Sequence, residues 1–523
     1  MESSQNFITR NTVIVGGIII LLLILAFSFQ GQRGIWQPDE GYYVGTSLTM
    51  MEKQDFLIPY LGEEEIFLDK PPLLYWGIIV SMKMLGHNEF AARFFHGVCY
   101  VLTCLMVGAL GFELFGNRRA AILSSLVYAT MVVPFIAANI VTPDTPLVLW
   151  TTICAFAFWK SVTAQKPYAS LWKLCLFAAF GFGFLAKGPA VLIPCAGMLP
   201  FLIIRKQLKS FLLDFGILAG IAVFCAIGLG WYIYIGCTLK GSFAYFFDSQ
   251  IWGRLVSKKY HRNPGIAGIA LYLFILTMGT LPWSAIWLQK SARITLPLLL
   301  QKQWWLNLRN RPHALFLILW GITSMLILCL ASSKLPLYVL PLFAPIAIAS
   351  AQMWSRRIDL SETAVGKKRA FSNSARFILI WCCLLITLKY VIAHYPTSQD
   401  TRALWNEICK YVPNGPYEIN TVDARADGLI FYDTYGAKSV EHVTRKTHPY
   451  PTFSAIKQVV TVVAENKKES KKETLIFLVN DDKDAREVCS LLSKAEVKFN
   501  KIKLSWQRWL LIVPPEEYTK LSQ

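Results

Sequence analysis

Apolar stretches of about 20 residues recur along the first three quarters of this chain, and they constrain its fold more than any other feature. The first, at residues 13–29, carries no charged side chain, and similar runs follow to about residue 390. A helical run of this length matches the thickness of a bilayer core. The apolar share of 54% also exceeds the roughly 45–50% of an ordinary soluble protein. The sequence therefore predicts a polytopic α-helical membrane protein with about 11–13 transmembrane helices.

The chain changes character near residue 394. Residues 1–393 form the predicted transmembrane domain, which includes a first extramembrane loop at 31–88. Residues 394–523 mix polar and apolar residues, and short apolar segments alternate there with one amphipathic segment. This alternation predicts a small α/β domain. The predicted strands are 428–432, 459–463, 474–479 and 509–513, and the predicted helix is 482–497.

Basic residues decide which loops share a side of the membrane. Lysine and arginine concentrate in cytoplasmic loops, and one alternating assignment brings Arg10, residues 118–119 and residues 205–209 to the same side. This assignment requires that the segment 71–85 does not cross, so we expect it to lie along or dip into the interface. The loop 31–88 and the C-terminal domain then lie opposite the cytoplasm, on what we call the outer face. The predicted spans are 12–30, 89–115, 120–138, 144–162, 171–187, 189–204, 211–236, 266–289, 313–331, 335–354 and 375–393.

Net charge and cysteine content argue against a nucleic-acid ligand and against a cysteine metal site. The net charge of +19 fits the loop bias, whereas a nucleic-acid ligand would favour a basic soluble domain, and residues 394–523 intersperse acids and bases. Most of the 12 cysteines lie inside apolar runs, and no spacing is typical of a metal site. Cys409 and Cys489 fall in the predicted soluble domain, and the sequence leaves open whether they pair.

Three carboxylates lie on the predicted outer face, next to apolar spans. They are Asp39, Glu40 and Asp144, and ionisable groups so close to the bilayer are costly unless they are solvated, paired or used. We predict that they are catalytic, as a general base or as charges that orient an acceptor. The structural alternative is helix capping, by Asp39 ahead of a helix near Gly41, and by Thr142 or Asp144 at the later span.

Three lysines and a tyrosine lie on the same predicted face. Lys70 precedes two prolines, Lys187 separates two apolar runs, and Tyr338 follows Lys334 by four residues. A compact ammonium group is well suited to a phosphate oxygen, so these lysines predict a phosphate site. The structural alternative is that the lysines snorkel and the tyrosine belongs to an aromatic belt.

Aromatic residues accompany these charges. Tyr42 follows the first carboxylates, Tyr75 follows Lys70, and the loop 237–265 is both basic and aromatic, with Arg254 and His261. Positive charge is normally scarce on this face, which favours a polyanionic or phospholipid ligand. A lone histidine is more typical of a hydrogen-bonded loop residue. Cations for a phosphate leaving group, carboxylates for an acceptor and aromatics for a sugar thus converge on one face.

The order of these motifs resembles a known family. They are similar to the bacterial aminoarabinose transferases of lipid A and to their relatives of GT-C fold, the polyprenyl-phosphate-sugar and protein O-mannosyl transferases. The similarity covers most of the chain, including a periplasmic α/β tail. The matching segments are 39–40, 70–76, 88–93, 187–189, 246–254 and 334–341.

The resemblance implies an inverting transfer of a sugar from an undecaprenyl-phosphate donor to lipid A or another acceptor. The reaction would take place on the periplasmic face of the bacterial inner membrane. By this resemblance, Lys70, Lys187 and Tyr338 contact the donor phosphate. Asp39 is then the main catalytic or orienting carboxylate, and Asp144 assists it.

Two positions depart from the family pattern. Tyr42 stands where close relatives have arginine, and Asp69, before Lys70, stands where they often have glutamate. Aminoarabinose is the first expected sugar, while galactosamine, another hexose and a different acceptor stay open. Arg254 would lie in a loop that covers the site. No cofactor is required, although a divalent cation that bridges Asp39 and the donor phosphate would also fit.

Two other classes compete with this prediction. A transporter or flippase of lipid-linked sugars would carry ionisable residues at mid-bilayer and broken helices in matching halves. Here the charges cluster at one interface, and no halves match. A glycosyltransferase of the same fold that acts on protein or another envelope glycan differs only in its acceptor.

Overall fold

The chain divides into two units in the computed structural model. The first comprises Met1–Gln30, Asp69–Leu74 and Arg93–Ile392, and the second comprises Gly31–Leu68, Tyr75–Ala92 and Ala393–Gln523. Most of the first loop, which the sequence analysis counted with the transmembrane domain, thus groups with the C-terminal residues. The structure describes residues 2–61, 65–248, 253, 262–287, 301, 303, 307–359, 364–412, 416–423, 426–432, 437–442, 455–468 and 473–516.

Helices account for nearly all regular structure before residue 395. A two-stranded antiparallel ribbon, β1 (Tyr60–Leu61) with β2 (Glu65–Ile66), interrupts them in the first loop. Gly188–Val191 and Pro336–Leu342 are 3₁₀ segments, and Cys225–Leu229 is a π-helical turn. The helices are α1 (Glu2–Phe27), α2 (Asp39–Glu52), α3 (Leu73–Leu85), α4 (Glu89–Phe115), α5 (Arg118–Thr130), α6 (Val132–Ala137), α7 (Asp144–Thr163), α8 (Tyr168–Lys187), α9 (Leu192–Cys195), α10 (Met198–Ile204), α11 (Leu208–Leu212), α12 (Phe215–Phe224), α13 (Gly230–Thr238), α14 (Ser242–Tyr245), α15 (Gly265–Gly279), α16 (Ser284–Trp287), α17 (Pro312–Leu330), α18 (Phe343–Asp359) and α19 (Ala364–His394).

Within the described residues, seven helical segments are long and apolar enough to cross a membrane. Three shorter apolar helices accompany them: Val13–Phe27, Leu73–Leu85 and Gly265–Gly279. The predicted class, a polytopic helical membrane protein with a C-terminal α/β region, is confirmed. The seven segments are Glu89–Phe115, Asp144–Thr163, Tyr168–Ile204, Phe215–Thr238, Pro312–Leu330, Pro336–Arg356 and Ser372–His394.

Local geometry changes some of the predicted spans. The run at 120–138 is broken at Met131, whose ψ of 137° is extended, so α5 and α6 are separate and short. The runs 171–187 and 189–204 fall within one apolar segment, Tyr168–Ile204, in which α8 ends at Lys187. Helix α3 has 13 residues and measures about 20 Å, less than a hydrocarbon core of about 30 Å. Its placement along the interface stays a prediction.

Lys389 ties the last helix of the first unit to the first. Its side chain is buried, and Nζ donates to the carbonyl oxygens of Leu25 at 3.0 Å and Ala26 at 2.8 Å. Carbonyls in the last turn of a helix lack the partner that the next turn would supply, and a cation there is favoured by the helix dipole. Gln30 Nε2 also donates to the Ala26 carbonyl, at 2.9 Å. The end of α1 is thus capped by α19.

The second unit contains a five-stranded sheet of order β4-β3-β5-β7-β6. Strands β3, β4 and β5 are parallel, and β7 pairs antiparallel with both β5 and β6. β3 and β5 are buried throughout because each face of the sheet carries its own apolar core. The elements are α20 (Thr401–Ile408), β3 (Tyr417–Val422), α21 (Leu429–Tyr432), β4 (Ala437–His442), α22 (Val459–Lys468), β5 (Thr474–Val479), α23 (Asp482–Lys494), β6 (Asn500–Lys503) and β7 (Trp509–Val513).

Half of the predicted strands are helices. The strands at 474–479 and 509–513 and the helix within 482–497 are confirmed, but 428–432 and 459–463 were wrong, since α21 and α22 occupy them. Apolar runs of four or five residues carry too little periodicity to separate a buried strand from a buried helix. The cysteines at 409 and 489 are not joined by a disulfide.

Candidate functional site

Helices α7 and α8 form an antiparallel pair that brings Asp144 and Lys187 together. α7 begins at Asp144, α8 ends at Lys187, and only residues 164–167 connect the two helices. The two side chains therefore lie at the same end of the pair. Lys187 Nζ is 2.5 Å from Asp144 Oδ1, and both side chains are 8% exposed. Within the described residues, Lys187 is the only side chain that bonds the Asp144 carboxylate.

Backbone geometry explains why these two residues take these positions. Asp144 lies in the first turn of α7, where the helix dipole favours a carboxylate, and Lys187 lies in the last turn of α8, where it favours a cation. Gly188 follows with φ +61°, a conformation that a side chain would strain. A Cβ at this position would also lie 2.9 Å from the Tyr232 hydroxyl. Glycine thus ends α8 directly after the lysine.

Tyr338 completes this group, which we call the Lys187 cluster: Asp144, Lys187 and Tyr338. Lys187 Nζ lies 4.7 Å from the centroid of the Tyr338 ring, in cation–π geometry. Tyr338 is carried by the 3₁₀ segment Pro336–Leu342. Three residues predicted separately from the sequence are therefore in contact.

Lys334 is buried by other contacts. Its side chain is 3% exposed, Nζ donates to the Ala331 carbonyl at 2.6 Å, and its stem packs where a Cβ on Gly268 would lie. Asn263 Nδ2 donates to the Lys334 carbonyl at 3.0 Å. No salt bridge joins Lys334 to a carboxylate within the described part of the chain.

Asp69 and Lys70 also belong to the first unit. Tyr245 Oη donates to Asp69 Oδ1 at 2.5 Å, and Lys70 Nζ donates to the Asp69 carbonyl at 3.0 Å. Asp69 is thus held by a residue of α14. Tyr245 could not be predicted from the sequence, because 176 residues separate the partners and no local pattern marks their contact.

Asp39 and Glu40 lie in the second unit, in the first turn of α2. Asp39 is exposed, while Glu40 is 1% exposed and accepts from both terminal nitrogens of Arg33 at 2.7 Å. The Trp36 amide also donates to Glu40, at 2.9 Å, and the Arg33 guanidinium lies 4.1 Å from the Trp36 ring centroid. Glu40 therefore anchors the loop before α2. Arg33 is a second residue that sequence reasoning missed, because it lies in the loop before α2, where no periodic spacing relates it to Glu40.

Helix capping does not explain the predicted carboxylates. The N-cap of α2 is Pro38 and that of α7 is Pro143, and neither makes a side-chain capping bond. The alternative that Asp39 or Asp144 caps its helix is therefore wrong.

Of the four residues predicted for a substrate loop, the structure describes two, Tyr42 and Tyr75. Tyr42 stacks on Phe67 at 5.8 Å, and Tyr75 is fully buried in the same cluster, next to Met50 and Ile79. Arg254 and His261 lie outside the described residues. No group of three or more His, Cys, Asp or Glu side chains that could hold a metal occurs among the residues that the structure describes.

A third buried ion pair lies nearer the beginning of α8. Lys173 Nζ is 3.2 Å from Asp214 Oδ2, and both side chains are 4% exposed. Asp214 Oδ1 also accepts from Ser170 Oγ and from the Gly216 amide, each at 2.8 Å, and so caps α12. Lys166, which is largely exposed, lies 3.8 Å from Oδ2. We call this group the Asp214 cluster.

The Asp214 cluster lowers the pKa of its carboxyl. Burial alone would raise the pKa of Asp214, but hydrogen bonds from Ser170, Gly216 and Lys173 and the charge of Lys173 outweigh it. The pKa therefore lies below its ordinary value of 3.8. The ionised Asp214 carboxylate is thus stabilised by these three hydrogen-bond donors and by the charge of Lys173.

Comparison with known proteins defines the class first. A family profile described as dolichyl-phosphate-mannose-protein mannosyltransferase matches residues 69–234, a span that holds Lys70, Asp144 and Lys187. The crystal structure of ArnT from Cupriavidus metallidurans bound to undecaprenyl phosphate is similar over 96% of this chain and 98% of its own, with a TM-score of 0.73 and 18% identity. The fold is thus that of GT-C membrane glycosyltransferases.

Curated relatives define the family. The chain is 30% identical over 404 residues to the undecaprenyl phosphate-α-4-amino-4-deoxy-L-arabinose arabinosyl transferase of Enterobacter sp. strain 638, across 76% of this chain and 68% of that protein. It is 31% identical to the enzyme of that name from Photorhabdus laumondii, across 61% of this chain and only 55% of that protein. The chain belongs to the family of undecaprenyl phosphate-α-4-amino-4-deoxy-L-arabinose arabinosyl transferases, and the resemblance in its motif order is confirmed.

Proposed function

We propose that this protein transfers a sugar, with aminoarabinose as the first candidate, from an undecaprenyl-phosphate donor to lipid A. The observation that carries the proposal is the Lys187 cluster, a buried lysine held at one end of a helix pair by Asp144 and Tyr338. The names of the curated relatives support the donor. The acceptor follows from the family resemblance.

The Lys187 cluster suits a phosphate leaving group. An ammonium has three N–H donors, and one of those on Lys187 is directed at Asp144. The others are available to phosphate oxygens, and the fixed cation would stabilise the charge that develops as the phosphate leaves. Lys70, on a proline-bounded segment of the same unit, is proposed as a second phosphate contact. Lys334 is proposed as a further cation near the donor.

The transfer is proposed as a single inverting displacement. The bond between the anomeric carbon and the phosphate oxygen breaks as a bond from the acceptor oxygen forms, and undecaprenyl phosphate leaves. Asp39, exposed at the start of α2, is proposed to orient or deprotonate the acceptor. An acceptor that is itself a phosphate is already nucleophilic and needs only positioning. Asp144 assists by fixing Lys187.

The proposal includes a location. The charges that it uses lie on the outer face predicted from loop basicity, so the reaction is assigned to the periplasmic side of a bacterial inner membrane, with the C-terminal α/β region on that side. Arg254 and His261 are proposed to belong to a loop over the donor. A divalent cation between Asp39 and the donor phosphate remains the metal-dependent form of the same proposal, and activity with and without a chelator separates the two.

Mass spectrometry of lipid A tests the function. Lipid A is compared from cells with the intact protein, without it, and with Lys187→Ala or Asp39→Asn. A sugar-sized mass present only with the intact protein is expected, and its value names the sugar. Lys160→Ala is the matched control, because Lys160 pairs with Glu113 at 3.1 Å at the far end of α7 and should retain the modification.

Other outcomes point elsewhere. Unchanged lipid A in cells without the protein would overturn the lipid A acceptor and direct the search to glycoproteins and other envelope glycans. A flippase would be favoured if cells without the protein accumulate lipid-linked sugar on the cytoplasmic side. Their membranes should then still transfer the sugar when a separate transferase is added. If the sugar on lipid A is lost in cells without the protein but kept in cells with Asp39→Asn, the proposed function stands and Asp39 is not catalytic.

A further inference from the structure

Tyr245 connects two segments that the proposed function uses separately. Its hydroxyl donates to Asp69 Oδ1 at 2.5 Å. The next residue, Lys70, is a proposed phosphate contact and donates back to the Asp69 carbonyl at 3.0 Å. The position of the Asp69 carboxylate therefore bears directly on where the backbone presents Lys70.

Tyr245 is itself held by packing against α13. The next residue, Phe246, is buried, and its ring centroid lies 5.7 Å from that of Trp231 and 4.9 Å from that of Tyr232. The rings of Tyr245 and Phe246 are 6.0 Å apart. We call four residues the aromatic bridge: Trp231 and Tyr232 of α13, Tyr245 at the end of α14, and Phe246, which follows it. They fix the end of α14 independently of Asp69.

The other end of the aromatic bridge meets the turn that presents Lys187. The Tyr232 hydroxyl occupies the space beside Gly188, 2.9 Å from where a Cβ would lie. The Tyr232 ring also packs 5.1 Å from that of Phe184, one turn before Lys187 on α8. A single packed group therefore touches both the segment that carries Lys70 and the helix end that carries Lys187.

We propose that Tyr245 is a positioning residue that sets Lys70 relative to Lys187 for one donor phosphate, acting through the aromatic bridge. The chemistry favours a tyrosine here. A phenol satisfies a carboxylate oxygen without adding a positive charge, so it fixes Asp69 without placing a third cation beside the two lysines. This inference rests on the proposed function, because it assigns both lysines to the same phosphate.

The test uses the purified full-length protein and undecaprenyl phosphate as the binding probe. Tyr245→Phe removes the hydroxyl and keeps the ring. We expect undecaprenyl phosphate affinity to fall about tenfold, equivalent to about 1.4 kcal/mol, and the donor KM to rise by a similar factor while kcat changes less than about twofold. Tyr234→Phe is the control, because Tyr234 lies on α13 and its hydroxyl bonds nothing among the described residues.

A double-mutant cycle separates positioning from general destabilisation. With Asp69→Ala already present, Tyr245→Phe should weaken binding no further, since its partner is gone. Asp69→Asn, which keeps an oxygen for the Tyr245 hydroxyl, should bind better than Asp69→Ala. Equal losses for those two variants, or independent losses for Tyr245→Phe and Asp69→Ala, would overturn the inference.

The two proposals fail in different ways. Wild-type protein that binds and transfers normally, beside a Tyr245→Phe variant with unchanged donor affinity, removes the positioning role alone. Wild-type protein that neither binds undecaprenyl phosphate nor transfers a sugar removes the proposed function and this inference with it.

Discussion

Helix α8 carries a buried lysine–aspartate pair toward each of its ends, and the two pairs differ in how fully their carboxylates are used. Lys173 and Lys187 are 14 residues apart, or about 21 Å along the helix. Asp214 receives Lys173, a serine hydroxyl and a backbone amide. Asp144 receives Lys187 alone among the described side chains.

This difference is the one expected between a structural ion pair and a pair that serves the proposed transfer. In the Asp214 cluster Lys173 neutralises a carboxylate that also caps α12. The hydrogen bonds there therefore stabilise the fold. In the Lys187 cluster Asp144 is the one described side chain bonded to the lysine, and an aromatic ring packs on one side of it. A buried pair with spare hydrogen-bonding capacity is therefore a better functional candidate than one that is saturated, even when both are equally buried.

Replacing Lys187 should have the largest effect. Lys187→Ala removes the cation proposed for the leaving phosphate, and we expect the transfer rate to fall by about 10²–10³. Initial rates with an undecaprenyl-linked donor measure this. Lys187→Arg keeps the charge against Asp144 and should preserve folding, which separates lost chemistry from lost structure. A Lys187→Ala protein with more than a tenth of normal activity would contradict the role proposed for Lys187 in the transfer.

Replacing Lys173 should affect stability instead. Lys173→Met leaves Asp214 buried without its main cation, at a cost of about 2 kcal/mol, less than the roughly 3–5 kcal/mol for a pair with no other support. The Ser170 and Gly216 bonds remain and account for the difference. Thermal unfolding in detergent measures the loss, and the rate per folded molecule should stay unchanged. A variant as inactive as Lys187→Ala would show that the two pairs do not differ in role.

Acid should reveal the Asp214 cluster through its lowered pKa. Because the pKa of Asp214 is below 3.8 in the folded protein, its stabilisation is fully present above the unfolded value and is lost as pH falls through the folded value. The gap in unfolding temperature between wild type and Asp214→Asn should therefore be constant from about pH 5 to 8 and shrink below about pH 4. If the difference in unfolding temperature instead widens in acid, the pKa of Asp214 is raised in the folded protein rather than lowered.

The smallest expected effect concerns the aromatic wall of the Lys187 cluster. Tyr338→Leu removes the cation–π contact with Lys187 and should weaken donor binding by about fivefold, or about 1 kcal/mol. Tyr338→Phe keeps the ring, so any loss it shows reports a hydroxyl contact with the phosphate. If Tyr338→Leu binds the donor normally, the ring only fills space and the cluster reduces to the ion pair.

The sequence predicted the charges of the site better than their partners. Apolar runs and loop charges placed Asp144, Lys187 and Tyr338 on one face, and the structure brings them into contact. The bond from Tyr245 to Asp69 could not be predicted, because packing between distant helices decides it. The anchoring of Glu40 by Arg33 was missed because two adjacent acids look alike in a sequence, and only burial shows that one is structural.

Secondary structure failed where segments were short. The strands predicted at 428–432 and 459–463 are helices because the sheet around them, not their own pattern, decides their conformation. The long runs at 89–115, 144–162 and 313–331 were predicted closely, because a helix of about 20 apolar residues satisfies its backbone within itself in lipid.

The bond from Lys389 to the end of α1 can form only late in the synthesis of the chain. The carbonyl of Leu25 waits for a donor that is 364 residues further along, which a ribosome reaches only after roughly 20–70 s. During that interval Gln30 can donate to the neighbouring Ala26 carbonyl, while the Leu25 carbonyl lacks the Lys389 donor. The end of α1 can therefore receive this cap only after α19 has been made, and truncation before residue 389 would leave it without the cap.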